Sequence, residues 1–438
     1  MSWNQLVCLV VFQRKGMKMI SKKFIALSLG ALVLGLTSCG GSDADLTYWC
    51  PSVDADLMTE LVAEFKASKP EYANLKIETA GYYGEGDVYA QLHKDLEAAA
   101  DVMAIADDNI ASAVTAEEIV AWTDEEKAAA IASDGAAAVE SCSLEGTMYG
   151  LPYRADNAPM PMYDSTVYTS ADQLASFESI LATAKAAGKQ VYLDLCNGWY
   201  NATLLTCGGA TFTRQKNDKG VYEMYTDAAD ADKIDGVAAS LEAFKSLYNS
   251  YKDTWVINSD NAKVEAEFES GKLAYVFLWN DLNNIRAVNE NVKVGVWPTI
   301  KISGKDVQMK CFLGCKAYVC KENSDTERVA LAKEFTKFLA SKNAQVKRAA
   351  ELKYGPSNLE AQADDAAKSL EFTAKIAEQV AMSATIGQAI NTTGDFWTPM
   401  QNLGNIVTDG SEGWGDMGSA TRVIQALVSN IGWTSTKA

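Results

Sequence analysis

Short apolar runs alternate along this chain with stretches whose apolar residues recur every three or four positions. Leu46-Thr47-Tyr48-Trp49-Cys50 reads as a strand, Pro51-Ser52-Val53-Asp54 as a turn able to cap the next helix, and Leu57, Leu61 and Phe65 as that helix's apolar stripe. A second strand is predicted over Leu75 to Thr79, then a Gly/Tyr loop from Gly81 to Gly86, then a helix from Val88 to Leu96. Asp101 to Ala106 (DVMAIA) predicts a buried strand that ends in Asp107-Asp108-Asn109. Strand, helix, strand, helix, strand is the pattern of a parallel sheet in an α/β lobe. Ligands of such sheets sit outside the carboxyl ends of the strands. The turns at Ser52–Asp54, Tyr82–Glu85 and Asp107–Asn109 therefore form a candidate rim, although Asp107 and Asp108 would serve equally as helix caps.

Tyr149-Gly150-Leu151-Pro152-Tyr153 is an aromatic, proline-stiffened segment followed by Arg154-Ala155-Asp156-Asn157. A helix-rich stretch from Ala171 to Gly188 leads to a strand at Val191 to Leu195 and an aromatic turn, Asn197-Gly198-Trp199-Tyr200-Asn201. Helical periodicity returns at Ile234–Tyr251 and Asn261–Glu269. The apolar strand Leu273 to Leu278 ends in Trp279-Asn280-Asp281, and another strand is predicted from Val292 to Trp297. CFLGCKAYVC (311–320) reads as a buried strand pair, and the remainder is mainly helical, with Asp395-Phe396-Trp397-Thr398-Pro399 inside it. The length of 438 residues favours two lobes over one.

The N-terminal pattern is different. Lys18, Lys22 and Lys23 precede an uncharged apolar run, Phe24 to Leu36, too short to span a membrane and suited to an export signal. Leu36-Thr37-Ser38-Cys39 resembles a bacterial lipobox, in which the cysteine is acylated and becomes the new N-terminus; Gly40-Gly41-Ser42 would be a tether. Residues 1–38 are thus expected to be a signal peptide and 39–45 a lipidated tether. Met17 or Met19 is a more natural start than Met1, which makes 1–16 a candidate start-site artefact. The whole chain carries a formal −18, and five of its positive charges and none of its negative ones lie before Cys39, so the rest carries −23. Such a surface repels phosphate backbones, and nucleic acid is not an expected partner.

Seven cysteines follow Cys39, an odd number, so at least one is unpaired or pairs between molecules. For Cys311, Cys315 and Cys320 core packing is expected over a disulfide, and zinc is disfavoured by the missing CxxC spacing and the lack of a nearby histidine. His93 is the one histidine, and on its helix it reads as a surface or packing residue. A Ser–His–Asp or Cys–His catalytic arrangement would have to be built on it by default. No cofactor, metal or catalytic residue is expected.

Five segments, in order, resemble the bacterial extracellular solute-binding proteins of the maltose-binding type. They are Tyr149–Tyr153, Glu267–Tyr275, Lys333–Leu339, Tyr354-Gly355-Pro356-Ser357 and Phe396-Trp397. The resemblance implies an α/β, two-lobed periplasmic-binding-protein-like fold with a hinge and an interlobe cleft. It implies residues 43–155 with 312–360 in one lobe and 156–311 with 361–438 in the other. It also places Asp107–Asp108, Trp199–Tyr200 and Trp397 where that family holds its sugar, whereas Trp279-Asn280-Asp281 departs from the family pattern.

A neutral sugar offers an apolar ring face and a belt of hydroxyls. Flat aromatics meet the face, and carboxylates and amides take the hydroxyls in charge-assisted bonds. The candidate ligand residues are Asp107, Asp108, Tyr153, Arg154, Asp156, Asn197, Trp199, Tyr200, Trp279, Asn280 and Trp397. The expectation is a monomeric lipoprotein on the outer face of the cell membrane, or in a periplasm, touching the membrane through its lipid alone. It would capture a sugar, by resemblance maltose or maltodextrin, and deliver it to the permease of an ABC importer without catalysis. Two alternatives stay open. A polyamine or other cationic-solute binder would show unpaired carboxylates in the cleft, whereas carboxylates locked by Arg154 point to neutral sugars. A secreted glycoside hydrolase would need two carboxyl groups ~5–9.5 Å apart.

Overall fold

In a computed structural model, residues 44–430 are described apart from 83, 217–219, 221, 281–284, 287–288, 392–395, 410–413 and 415–417. The signal segment 1–38, Cys39, the tether 40–42, Tyr83, Asp281 and Asp395 lie outside the described residues.

Two sheets organise the chain. The first runs, in spatial order, Ile77–Tyr82, Leu46–Pro51, Val102–Ala106, Cys311–Cys320 and Thr385–Gly387, and Gly150–Asn157 also pairs with Cys311–Cys320. Its first three strands are parallel, as the strand–helix alternation predicts. Both faces are covered. Along Val102–Ala106 the alternate residues Val102 and Ala104 enter one apolar cluster, and Met103 and Ile105 the other. The second sheet runs Trp255–Val256, Gln190–Tyr192, Leu273–Leu278, Met160–Asp164 and Val292–Val294, over one large core that contains Phe177, Phe244, Trp255 and Trp297.

The chain passes between the sheets where one element ends and the next begins. Gly150–Asn157 belongs to the first sheet and Met160–Asp164 to the second. Cys311 and Phe312 pack in the second core, while the same strand continues antiparallel to Val102–Ala106. CFLGCKAYVC is therefore one ten-residue strand and not a pair. The helix Asp365–Lys368 packs on Lys342–Glu351 of the first lobe, through Ala349, Ala367 and Leu370. Glu371–Ala381 then sends Phe372 and Ile376 into the second core. Packing thus changes from Lys342–Glu351 to the second core near Leu370.

Several local expectations shift. The strand expected over 75–79 occupies Ile77–Tyr82 and absorbs Gly81, that over 191–195 is Gln190–Tyr192, and that over 292–297 stops at Val294. Asp54 makes no side-chain cap bond; it accepts a hydrogen bond from the Tyr354 hydroxyl at 3.0 Å instead. All seven described cysteines are free and buried. The imidazole of His93 is largely exposed, with Nδ1 2.7 Å from Glu118 Oε1 and the ring stacked on Tyr89.

The helix Trp397–Thr408 reaches the aromatic turn through a glycine. A Cβ on Gly404 would lie 1.6 Å from the carbonyl oxygen of Leu195. Asn201 Nδ2 ties the two by donating to Leu195 O at 2.8 Å and Met400 O at 2.6 Å. Gly404→Ala is expected to destabilise the fold by at least ~1–3 kcal/mol through overpacking. Thermal denaturation reads this, and an unchanged melting temperature would refute the tight approach.

Candidate functional site

The carboxyl ends of parallel strands in both sheets face one groove of about 690 Å³. The first lobe supplies Gly84 to Asp87 after Ile77–Tyr82, and Asp108 and Asn109 after Val102–Ala106. The second supplies Asn197, Trp199 and Tyr200 after Gln190–Tyr192, and Trp279 and Asn280 after Leu273–Leu278. Arg154, Asp156, Lys316, Tyr354 and Trp397 also line it, with Ala106, Asn157 and Asn261 beside them.

The aromatic side rests on close backbone contact. Asn197 Oδ1 accepts from Trp199 N at 3.0 Å and so shapes the turn. A Cβ on Gly198 would sit 2.8 Å from Trp397 O, so a glycine lets the turn lie against that helix start. The Trp199 and Trp397 rings consequently stack, with centroids 3.8 Å apart and planes 15° apart. Trp279 meets Trp199 edge-on at 6.0 Å and Tyr200 at 6.2 Å. Trp199, Trp279 and Trp397 are part-exposed, whereas Tyr200 is buried behind Trp279.

The polar side is held by ion pairs. Asp156 accepts from Arg154 Nε at 2.9 Å, Asn280 Nδ2 at 2.7 Å and Gly355 N at 2.8 Å. Glu85 lies 3.4 Å from Lys316 Nζ and 3.7 Å from Arg154 Nη1, and accepts from the Tyr153 hydroxyl at 3.0 Å. Burial would raise the Glu85 carboxyl, but Lys316 and Arg154 outweigh it and hold the group below its ordinary value. The Arg154 guanidinium lies 3.5 Å from the centre of the Tyr354 ring. Asp108 is pushed up to about 6 by burial, partly offset by Lys316.

Nine of the eleven expected residues line the groove, and two do not. Tyr153 is buried, because alternation along Gly150–Asn157 sends Arg154 and Asp156 to the groove and Tyr153 into the core, stacked on Tyr318 at 4.2 Å. Asp107 is buried too; its carboxylate accepts from Cys315 N at 2.8 Å, caps no helix and lies outside the groove lining. Gly314 permits this, since a Cβ there would lie 2.6 Å from Asp107 Oδ1. Asn280 lines the groove, but its amide nitrogen also donates to Lys353 O at 2.8 Å, so that donor is spent on the protein. Glu85 was expected only as part of the rim turn Tyr82–Glu85, and Lys316 and Tyr354 were missed. Lys316 left one signal, a lone cation inside an apolar strand, and its register opposite Ala106 and Arg154 carries it to the groove.

A profile described as "Bacterial extracellular solute-binding protein" matches residues 60–374. The chain belongs to that family. The extracellular solute-binding family fold is equally plain in solved structures. The maltodextrin-binding protein MalE1 of L. casei BL23, without ligand, superposes with a TM-score of 0.72 at 21% identity, over 88% of this chain and 98% of that one. The maltotriose-binding protein of Thermus thermophilus, bound with maltotriose, gives 0.68 at 16%, over 88% and 98%. MalX of Streptococcus pneumoniae, in complex with maltopentaose, gives 0.68 at 19%, over 88% and 99%. No curated relative matches by sequence. Among the described residues of this family member, no helix is long and apolar enough to cross a membrane, and no cluster of three or more His, Cys, Asp or Glu could hold a metal ion.

Burial, with Asp108 adding to it, pushes the Asp107 carboxyl from 3.8 up to about 8. The folded state therefore binds this proton more tightly than the unfolded state. Its contribution to stability is complete below the ordinary carboxyl value and is lost as pH rises towards the folded value. Asp107→Asn mimics the protonated group, so the variant is expected to gain stability relative to wild type as pH rises through that window. Melting curves across it test this; a difference independent of pH would exclude Asp107 as the source.

Proposed function

We propose that this protein captures a neutral oligosaccharide of the maltodextrin class in the groove and presents it to the permease of an ABC importer, with no covalent chemistry. One observation carries the reading: the groove opposes part-exposed tryptophans to two buried carboxylates, Glu85 and Asp156, whose charge the protein itself satisfies. Asp156 is spent on Arg154, Asn280 and Gly355, and Glu85 on Lys316, Arg154 and Tyr153. A polyamine would need carboxylates free to pair with it, and these two are locked. A neutral sugar needs oriented acceptors with free lone pairs and an aromatic face. The ligands bound in two of the solved relatives, maltotriose and maltopentaose, support the same class.

In this reading residues 44–155 with 312 to about 370 form one lobe and the rest of 156–430 the other. Asp108, Arg154, Asn197, Trp199, Trp279 and Trp397 meet the sugar. Closure around the ligand adds contacts from the second lobe and shifts the open–closed equilibrium. The segment before residue 39 directs export, and acylated Cys39 anchors a monomer to the outer face of the membrane or within a periplasm. Cys39→Ser is expected to move the protein from the membrane fraction to the soluble one; unchanged membrane association would remove the anchor.

A thermal-shift screen of the domain with maltotriose, maltose, spermidine and metal chelates tests the ligand class, since a ligand bound only by the folded state raises its melting point. Stabilisation by the sugars is expected; stabilisation by spermidine alone would select the cationic alternative, and sustained release of reducing sugar would select the hydrolase. Trp397→Ala is expected to weaken maltotriose binding by about 1–3 kcal/mol through lost stacking area. Calorimetry with unchanged affinity would take Trp397 out of the site.

A further inference from the structure

We infer that Asn280 is a positioning residue that fastens the second lobe to both strands of the hinge region and thereby sets how completely the groove closes. The inference rests on the proposed closure around a sugar. It is carried by where the Asn280 carboxamide goes. Asn280 ends the Leu273–Leu278 strand of the second sheet, directly after Trp279. Its Nδ2 donates to Asp156 Oδ2 at 2.7 Å, at the end of the first passage between lobes, and to Lys353 O at 2.8 Å, in the segment that leads to the last passage.

Two backbone features hold these acceptors in place. Lys353 has φ +58°, a left-handed conformation that a side-chain-bearing residue adopts at a cost and that persists where surrounding structure imposes it. Gly355, two residues on, gives its N–H to Asp156 at 2.8 Å and accepts from Ala155 N at 3.0 Å. A Cβ on Gly355 would lie 2.8 Å from Asp156 Cβ and 2.7 Å from Thr373 Oγ1, so the two segments touch only because this residue is glycine. Arg154 closes the cluster, donating to the other Asp156 oxygen at 2.9 Å and lying over the Tyr354 ring.

The partners are mismatched for any other use of this side chain. Both hydrogens of the Asn280 amide are consumed, one by the buried Asp156 carboxylate at the joint and one by Lys353 O of the first lobe. Trp279 is bonded to Asn280 through the backbone and packs edge-on against Trp199 and Tyr200. A ring seated against Trp279 therefore acts on the same strand end that the carboxamide fixes, which couples ligand contact to lobe orientation.

Asn280→Asp keeps the shape and turns a donor into a second carboxylate facing Asp156 and a carbonyl. Asn280→Ala removes the donor without adding charge. Lobe separation is read from two dyes, one per lobe, with and without saturating maltotriose, alongside melting curves that establish folding. Both variants are expected to show a wider, broader separation without sugar. At saturating maltotriose they are expected to remain wider than wild type, and the off-rate to rise by about tenfold with little change in on-rate. Wild-type separation in both states for Asn280→Ala would overturn the inference. So would a variant that loses affinity yet closes fully at saturation, because that is the behaviour of a direct ligand contact. The sugar-free comparison does not depend on the ligand's identity: if wild type binds no maltotriose the sugar reading fails, and the separation without sugar still decides the role of Asn280.

Discussion

A carboxylate with no access to water must be given its hydrogen bonds by the protein, and Asp156 sits where that requirement organises everything near it. It is buried at the end of a strand that leaves the first sheet for the second. Its three partners come from its own strand, from the second sheet's strand end and from the segment before the last passage between lobes. Removing one partner of such a buried pair typically costs ~3–5 kcal/mol because the remaining charge is left uncompensated. The groove's polar wall and the joint between the lobes are therefore one structure. The guanidinium that satisfies Asp156 also faces Glu85 and the Tyr354 ring, and the Tyr354 hydroxyl reaches on to Asp54.

The opposite wall is built by steric contact. Gly404 and Gly198 let a helix and a turn approach to distances that any Cβ would forbid, and Asn201 joins them by two bonds to backbone carbonyls. What this achieves is the fixed orientation of Trp199 and Trp397. Two stacked indoles each offer only the outward face, so the ring surface available to a ligand is held in a rigid direction. Rigid aromatic anchors lose little entropy on binding, which is what a groove relying on contact area with a neutral molecule requires.

Much of this was legible because a parallel strand's carboxyl end is legible. Asp108, Trp199, Trp279 and Asn280 all follow apolar runs, and the groove lies at those strand ends in both lobes. The rule failed where it met alternation. Tyr153 shares its strand with Arg154 and Asp156, but period two sends it to the core; Asp107 is adjacent to Asp108 and turns inward to Cys315. Lys316 and Tyr354 were illegible for a different reason. Each reaches the groove through contact with segments distant in sequence, Lys316 by its register opposite Ala106 and Arg154 and Tyr354 by its ring lying against the Arg154 guanidinium, and no local pattern encodes such contacts. The change of packing near Leu370 was illegible likewise, since two short helices give no sign of which core they pack on.

The charge of the chain and the charge of the groove answer separate questions. Beyond Cys39 the chain carries −23, a field that draws cations towards the surface and does nothing for a neutral sugar. Inside the groove Arg154 and Lys316 stand against Glu85, Asp87, Asp108 and Asp156, and the buried members of that set are paired with each other. A cation steered in by the field would find Glu85 and Asp156 already occupied, and seating it on them would mean dissolving pairs that hold the lobes together. A neutral ligand arrives without steering, so its affinity must come from how slowly it leaves. On the sugar reading proposed above, selectivity rests in the closed state, in tryptophan faces and pre-aimed oxygens, and the stiffness of the joint at Asp156 is part of what the groove recognises.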